Sequence, residues 1–209
     1  DLVEEFNNNA VAATQKYSGL DLVVEGEITA IDYDFLGNPY VAVGSGGLFE
    51  IQTVWCMVSD VSDVAGFSVG DKVTVEATFS EWNAMFVILK PCAPQGSGST
   101  TQPAAEPAST GTIAAVDLVE EFNNNAVAAT QKYSGLDLVI EGEVTAIDYD
   151  FMGKPYVSVG SGDIFERSTV WCMVLDVSDV GGLSVGDKVT VEGTFSEWDM
   201  IDVILKPCS

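Results

Sequence analysis

DLVEEFNNNAVAATQKYSGL, residues 1–20, recurs unchanged at residues 117–136. The offset of 116 then holds without a gap to the end of the chain, pairing Ala93 with Ser209. Of the 93 pairs, 18 differ, so the chain is a duplication, and two copies this alike must share one fold. The copies are residues 1–93 and 117–209. Each is long enough to bury a core and short enough to be marginal without added support.

Between them lies PQGSGSTTQPAAEPASTGTIAAV, residues 94–116, rich in Pro, Gly, Ser, Thr and Ala, with Glu106 its one charge. Such a stretch cannot build a core and reads as a linker. As a coil it spans about 25–30 Å. Its last part, residues 110–116, is less linker-like and is expected to lie down as an extended strand.

Within one copy the quoted stretch places Leu2, Phe6, Ala10, Ala13 and Tyr17 at three- and four-residue spacing, a helical stripe that ends at Ser18 and Gly19. Residues 20–34 read as a long strand with Val24, Ile28 and Ala30 on one face, and with Gly26 at a bulge or tight bend. LGNP at 36–39 is a turn. Residues 40–44, 53–58, 72–82 and 86–90 complete five strands, and the polar stretch between the third and fourth holds at most one helical turn. A helix and five strands with a bent first strand fit a closed barrel, which removes exposed edges. A β-sandwich usually needs about seven strands. The expected fold is mainly β: two tandem five-stranded OB-fold barrels, each with an N-terminal α-helix.

The chain has 8 basic residues, 32 acidic ones and no histidine, a net charge of −24. The first copy sets 3 lysines against 14 acids and the second 5 basic residues against 17 acids. Nucleic-acid affinity comes from Lys and Arg displacing counterions, so neither copy has the surface for it. Cys56, Cys92, Cys172 and Cys208 stand at matched positions, two per copy. Without CxxC spacing or histidine they do not suit zinc. One disulfide per copy, Cys56–Cys92 and Cys172–Cys208, is expected; buried free thiols are the alternative. Disulfides belong outside the reducing cytoplasm. No apolar run spans a membrane. The chain starts at Asp1 and at the repeat boundary, and is expected to be processed from something longer.

The runs NNNAVAATQKYSGLDLVVEGEITAIDYD, GNPYV, VWCMV, VGDKVTVEATF and VILKPC resemble the tRNA_anti-like group of OB-fold proteins over nearly all of each copy. The resemblance implies a secreted or lipid-anchored bacterial protein with nucleic-acid-binding ancestry. Its paired cysteines also match the family pattern and support the disulfides.

OB domains bind on strands two and three and the loops beside them. The candidate face is therefore Tyr33, Asp34, Asn38, Tyr40, Trp55 and Trp82 in the first copy, with Tyr149, Tyr156, Trp171 and Trp198 in the second. Aromatic side chains there could stack on bases or sugars. Barrel core is the competing role. The differences between copies gather in two loops. Asn83-Ala84-Met85-Phe86 becomes Asp199-Met200-Ile201-Asp202, and Gly47, Leu48, Ile51 and Gln52 all change. Apolar loop residues Met85, Phe86, Met200 and Ile201, with Ile113 and Val116 in the linker end, are the candidate assembly contacts. Asp32 and Asp34, repeated as Asp148 and Asp150, give a weak calcium pattern that departs from the EF-hand spacing. No catalytic set, phosphate loop or cofactor motif stands out, so neither an enzyme nor a cofactor is expected.

Together these readings point to an extracellular, cell-surface or periplasmic protein of bacterial type. It is expected to act through protein–protein contacts, with itself as partner, as the subunit of a filament or surface assembly. The linker end at 110–116 is the expected means, by strand addition or packing against a neighbouring domain. A module for a small ligand or oligosaccharide is the alternative.

Overall fold

The computed structural model describes residues 2–45, 53–96, 111–163 and 167–209. The chain divides into two compact units. The first is Asp1–Pro103 with Asn124–Ala128; the second is Ala104–Asn123 with Ala129–Ser209.

The first unit opens with helix α1 (Leu2–Tyr17), followed by strands β1 (Asp21–Tyr33), β2 (Pro39–Gly44), β3 (Val54–Val58), β4 (Lys72–Trp82) and β5 (Val87–Gln95). They close into a barrel in the order β1-β2-β3-β5-β4, with β3 and β5 parallel and every other pair antiparallel. A 3₁₀ turn at Val61–Asp63 joins β3 to β4, capped by Asp60, whose carboxylate accepts the Ser62 N–H. The second copy repeats the plan with α2 (Ala115–Tyr133, of which Asn124–Ala128 group with the first unit), β7 (Asp137–Tyr149), β8 (Pro155–Gly160), β9 (Val170–Val174), β10 (Lys188–Trp198) and β11 (Val203–Cys208). It carries one addition, the two-residue β6 (Ile113–Ala114), parallel to β7. The linker composition thus gives way to regular structure at both ends: β5 runs on to Gln95 and α2 begins at Ala115.

Two local readings are corrected. The helical stripe is not continuous, because Asn9 and Asn125 have extended backbone (φ −158° and −157°) and break each helix in two. Each asparagine caps the half that follows: Asn9 Oδ1 accepts the Ala12 N–H and Asn125 Oδ1 the Ala128 N–H. The irregularity in β1 falls between Ile28 and Ala30 rather than at Gly26, and it turns Ile31 into the core beside Ile28. Gly26 serves close approach instead, since a Cβ there would meet the Gly44 carbonyl oxygen at 2.6 Å.

The core of the first unit gathers Ile28, Ile31, Val41, Val43, Val75 and Leu89 under Phe6. Both disulfides join the parallel pair, Cys56 of β3 to Cys92 of β5 and Cys172 of β9 to Cys208 of β11, with Cα atoms 5.3 Å apart. A covalent tie thus holds the parallel β3–β5 pairing and its counterpart β9–β11.

Candidate functional site

The expected aromatic face divides in two. Tyr40 of β2, opposite Met57, and Trp55 of β3, opposite Ala42, are diagonal neighbours and stack face to face, with centroids 4.1 Å apart and planes 9° apart. Tyr156 and Trp171 repeat this at 4.2 Å and 10°. Burial, and then the charges of Asp32 and Asp34, push the Tyr40 hydroxyl up to about 12. Burial likewise raises Tyr156. Trp82 and Trp198 do not belong to this face. They stack on Phe6 and Phe122 of the helices at 5.2 Å. Tyr33 packs against the core, whereas Tyr149 is exposed. Period-two alternation locates such rings on strands but cannot tell the open face from the helix-covered one.

The Asp34 carboxylate closes its own turn, accepting the Leu36 and Asn38 N–H groups and the Asn38 amide, and these bonds hold its pKa low. Asp150 does the same for Met152 and Lys154. Asp32 and Asp148 each accept a neighbouring backbone N–H. Among the described residues no group of three acids could hold a metal.

The strand four–five loops keep one backbone through four substitutions. Asn83 Oδ1 accepts the N–H groups of Met85 and Phe86, and Asp199 Oδ1 those of Ile201 and Asp202. Ala84 and Met200 both take positive φ, 71° and 76°. The side chains then part ways. Phe86 lies on Trp55 at 4.0 Å, making a three-ring stack of the first unit's face. It is thus not a free contact residue. Its counterpart Asp202 is buried and accepts from the Thr169 N–H (2.7 Å) and hydroxyl (2.9 Å). Thr169 in turn receives the Ser158 hydroxyl, and Ser158 receives Thr145. The first unit has Ala42 where the second has Ser158. Two substitutions far apart in sequence are therefore one change: a polar chain replaces a ring. Burial raises the Asp202 pKa, opposed by the Thr169 bonds.

Met85, Met200, Ile201 and Val116 are exposed as expected of contact residues, while Ile113 is half-buried in β6. The other divergent stretch, Gly47, Leu48, Ile51 and Gln52, lies outside the described residues. Position-by-position differences missed a further segment, because it is identical in the two copies. In the first unit, segment 124–128 is bound tightly. Asn125 Nδ2 donates to the carbonyls of Val64 (3.0 Å) and Phe67 (2.8 Å), the Val69 N–H donates to Asn124, and Val127 joins the core. The same residues at 8–12 of α1 are open, with Val11 71% exposed where Val127 is 0%.

Two closed barrels of this strand order, each with a capping helix, an aromatic pair on strands two and three and one disulfide, define a tandem OB-fold protein. The chain belongs to the tRNA_anti-like family, whose profile matches residues 1–93 and 95–209. No curated protein matches it. Among solved structures it is similar to a Klebsiella pneumoniae protein described as a "putative nucleic acid-binding lipoprotein", at 19% identity and TM-score 0.38, over 52% of this chain and 98% of that one. It is also similar to a murine DNA-binding protein bound to double-stranded DNA, at 10% identity and TM-score 0.26, over 90% and 95% of the two chains. A third is the Ifi202 HINa domain in complex with DNA, at 11% and TM-score 0.29, over 90% and 91%. The disulfides mark a protein that matures outside the reducing cytoplasm. Among the described residues no helix is long and apolar enough to cross a membrane.

Proposed function

We propose that this chain is a non-enzymatic protein of the cell surface or extracellular space that acts through contacts with copies of itself, as the repeating subunit of a head-to-tail assembly. The observation that carries the reading is the unequal use of one sequence. Segment 124–128 is received by the 61–69 surface inside the first unit, while its identical twin at 8–12 is exposed. The receiving surface has a twin too, at 177–185, where Val177 and Val185 are exposed beside Leu175, 83% exposed in place of Ser59. One chain therefore offers a free insert at one place and a free receiver at another. A heterologous contact of that kind propagates from chain to chain unless it closes into a ring.

Electron microscopy and sedimentation of the oxidised chain over a wide concentration range test this. Filaments or rings are expected, and a strictly monomeric particle at every concentration would sink the reading.

A second reading is supported by the uncovered Trp171. The ring that lies over Trp55 in the first unit is absent from the second, so Tyr156 and Trp171 offer a flat platform for a sugar or other small ring. It expects Trp171 fluorescence to respond to oligosaccharides while Trp55 stays silent. Nucleic acid is the poorer ligand, because a charge of −24 repels phosphates and few lysines could release counterions.

A further inference from the structure

Trp55 and Trp171 share one stacking partner and differ in the other. Tyr40 and Tyr156 lie against them at 4.1 and 4.2 Å. The Phe86 ring covers Trp55 from a second side at 4.0 Å, and among the described residues no ring does so for Trp171. Asp202 is the counterpart of Phe86, and its loop keeps the same turn bonds and the same positive φ in both copies. Asp202 therefore leaves the backbone where Phe86 does, with a side chain too short to cover an indole. Its Oδ1 takes the Thr169 N–H and hydroxyl. Its Oδ2 has no donor among the described residues, although the residue is only 8% exposed. The second copy has thus exchanged a covering ring for a carboxylate oxygen beside an uncovered indole.

The surroundings are acidic. Asp148 stands opposite Tyr156 in the β7–β8 ladder. After burial, the charges of Asp148, Asp202 and Asp150 hold the Tyr156 hydroxyl up. Lys154 in the β7–β8 turn and Arg167 ahead of β9 are exposed cations of the same unit, and neither forms an ion pair among the described residues. The chain does not itself supply a cation to Asp202.

We infer that this face takes the guanidinium of an arginine side chain from another protein, laid flat on Trp171 and hydrogen-bonded in its plane to Asp202 Oδ2. This rests on the platform reading above and names its ligand. A guanidinium is planar, always charged and weakly hydrated, and it stacks on aromatic faces while its N–H groups point outward in the plane. Its bond to a carboxylate is charge-assisted. An ammonium group brings the charge without the plane. A sugar brings hydroxyls but gains nothing from a chain of charge −24. Free arginine carries its own carboxylate to an acidic rim, whereas arginine within a protein does not.

The test titrates the blocked peptide acetyl-Gly-Arg-Gly-amide into the isotope-labelled, oxidised full chain near neutral pH. Nuclear magnetic resonance follows the indole N–H signals, with Trp171 assigned through Trp171→Phe. The expected result is a saturable shift of Trp171 with Kd of about 1 mM, while Trp55 under Phe86 stays unmoved. The same peptide with lysine or citrulline in place of arginine should bind about fivefold more weakly or worse, the first lacking the plane and the second the charge. Asp202→Asn keeps an oxygen for Thr169 and should weaken arginine binding about tenfold. Asp202→Phe should rebuild the three-ring stack of the first unit and abolish the shift. No shift at Trp171, equal shifts at Trp55 and Trp171, equal binding of the citrulline peptide, or full affinity in Asp202→Asn would each overturn the inference. An oligosaccharide that moves Trp171 when the arginine peptide does not would keep the platform and refute this ligand. Silence toward both would remove the platform as well.

Discussion

Asp202 shows how one residue separates two nearly identical domains. Its carboxylate ends a run of hydroxyls from Thr145 through Ser158 and Thr169, where the first unit has Ala42 and Phe86. Removing it leaves the part-buried Thr169 N–H and hydroxyl without their charged acceptor, so Asp202→Ala should cost the second unit about 1–3 kcal/mol. Because Ser158 and Asp202 share Thr169, Ser158→Ala and Asp202→Ala should not add. Chemical denaturation of the single and double variants measures the difference. The pH dependence has a definite sign. Burial raises the folded pKa of Asp202 above its unfolded value. Its contribution to stability is therefore fully present below the ordinary carboxylate range and is lost as pH rises through the folded pKa. Asp202→Asn keeps the oxygen acceptor and removes the charge. It should raise the melting temperature of the second unit at pH 7, and the advantage should vanish near pH 3. A uniform shift at both pH values would show that charge is not the cause.

Among the elements, the helices and the parallel strand pair carry the account. The spacing of Leu2, Phe6, Ala13 and Tyr17 made α1 legible, and alternation made the strands legible. The break at Asn9 was not, because a capping asparagine inside an apolar stripe leaves the stripe intact. The aromatic face was half legible for a similar reason. Tyr40 and Trp55 meet diagonally across the β2–β3 ladder, whereas Trp82 turns toward Phe6, and only the closed barrel decides which side the helix covers. Of the strand expected at 110–116 only Ile113–Ala114 is strand, added to the barrel that follows in sequence, while Ala115 and Val116 open α2. Identical asparagines now make a controlled comparison. Asn9→Ala removes a helix cap and should cost about 1 kcal/mol. Asn125→Ala also takes a donor from the Phe67 carbonyl and one of two from the Val64 carbonyl, and should cost about 2–3 kcal/mol. Equal costs in denaturant titrations would remove the distinction between the open and the received segment. Each disulfide closes a separation of 36 residues, so Cys92→Ser or Cys208→Ser should cost about 3–4 kcal/mol. Differential scanning calorimetry would show which unit melts earlier.

On the scale of the whole molecule, the proposed reading gives the duplication two inserts and two receivers, one of each joined within the first unit. The remaining pair, 8–12 and 177–185, is apolar at Val11, Val177 and Val185 within a chain of charge −24. Like-charged subunits repel, and salt screens that repulsion while leaving apolar contact in place. Assembly should therefore increase with ionic strength, a trend that light scattering can follow. A falling signal would mean that opposite charges, not apolar faces, hold the copies together. The most direct measurement of the head-to-tail contact is assembly length against a growing fraction of Val11→Glu chains mixed into the native protein. Val11 is exposed, so the variant should fold, and its 177–185 surface is intact. It should add to one end only and stop growth there, so that mean length falls steeply at substoichiometric fractions. Lengths that stay constant, or that fall only by dilution, would contradict the contact.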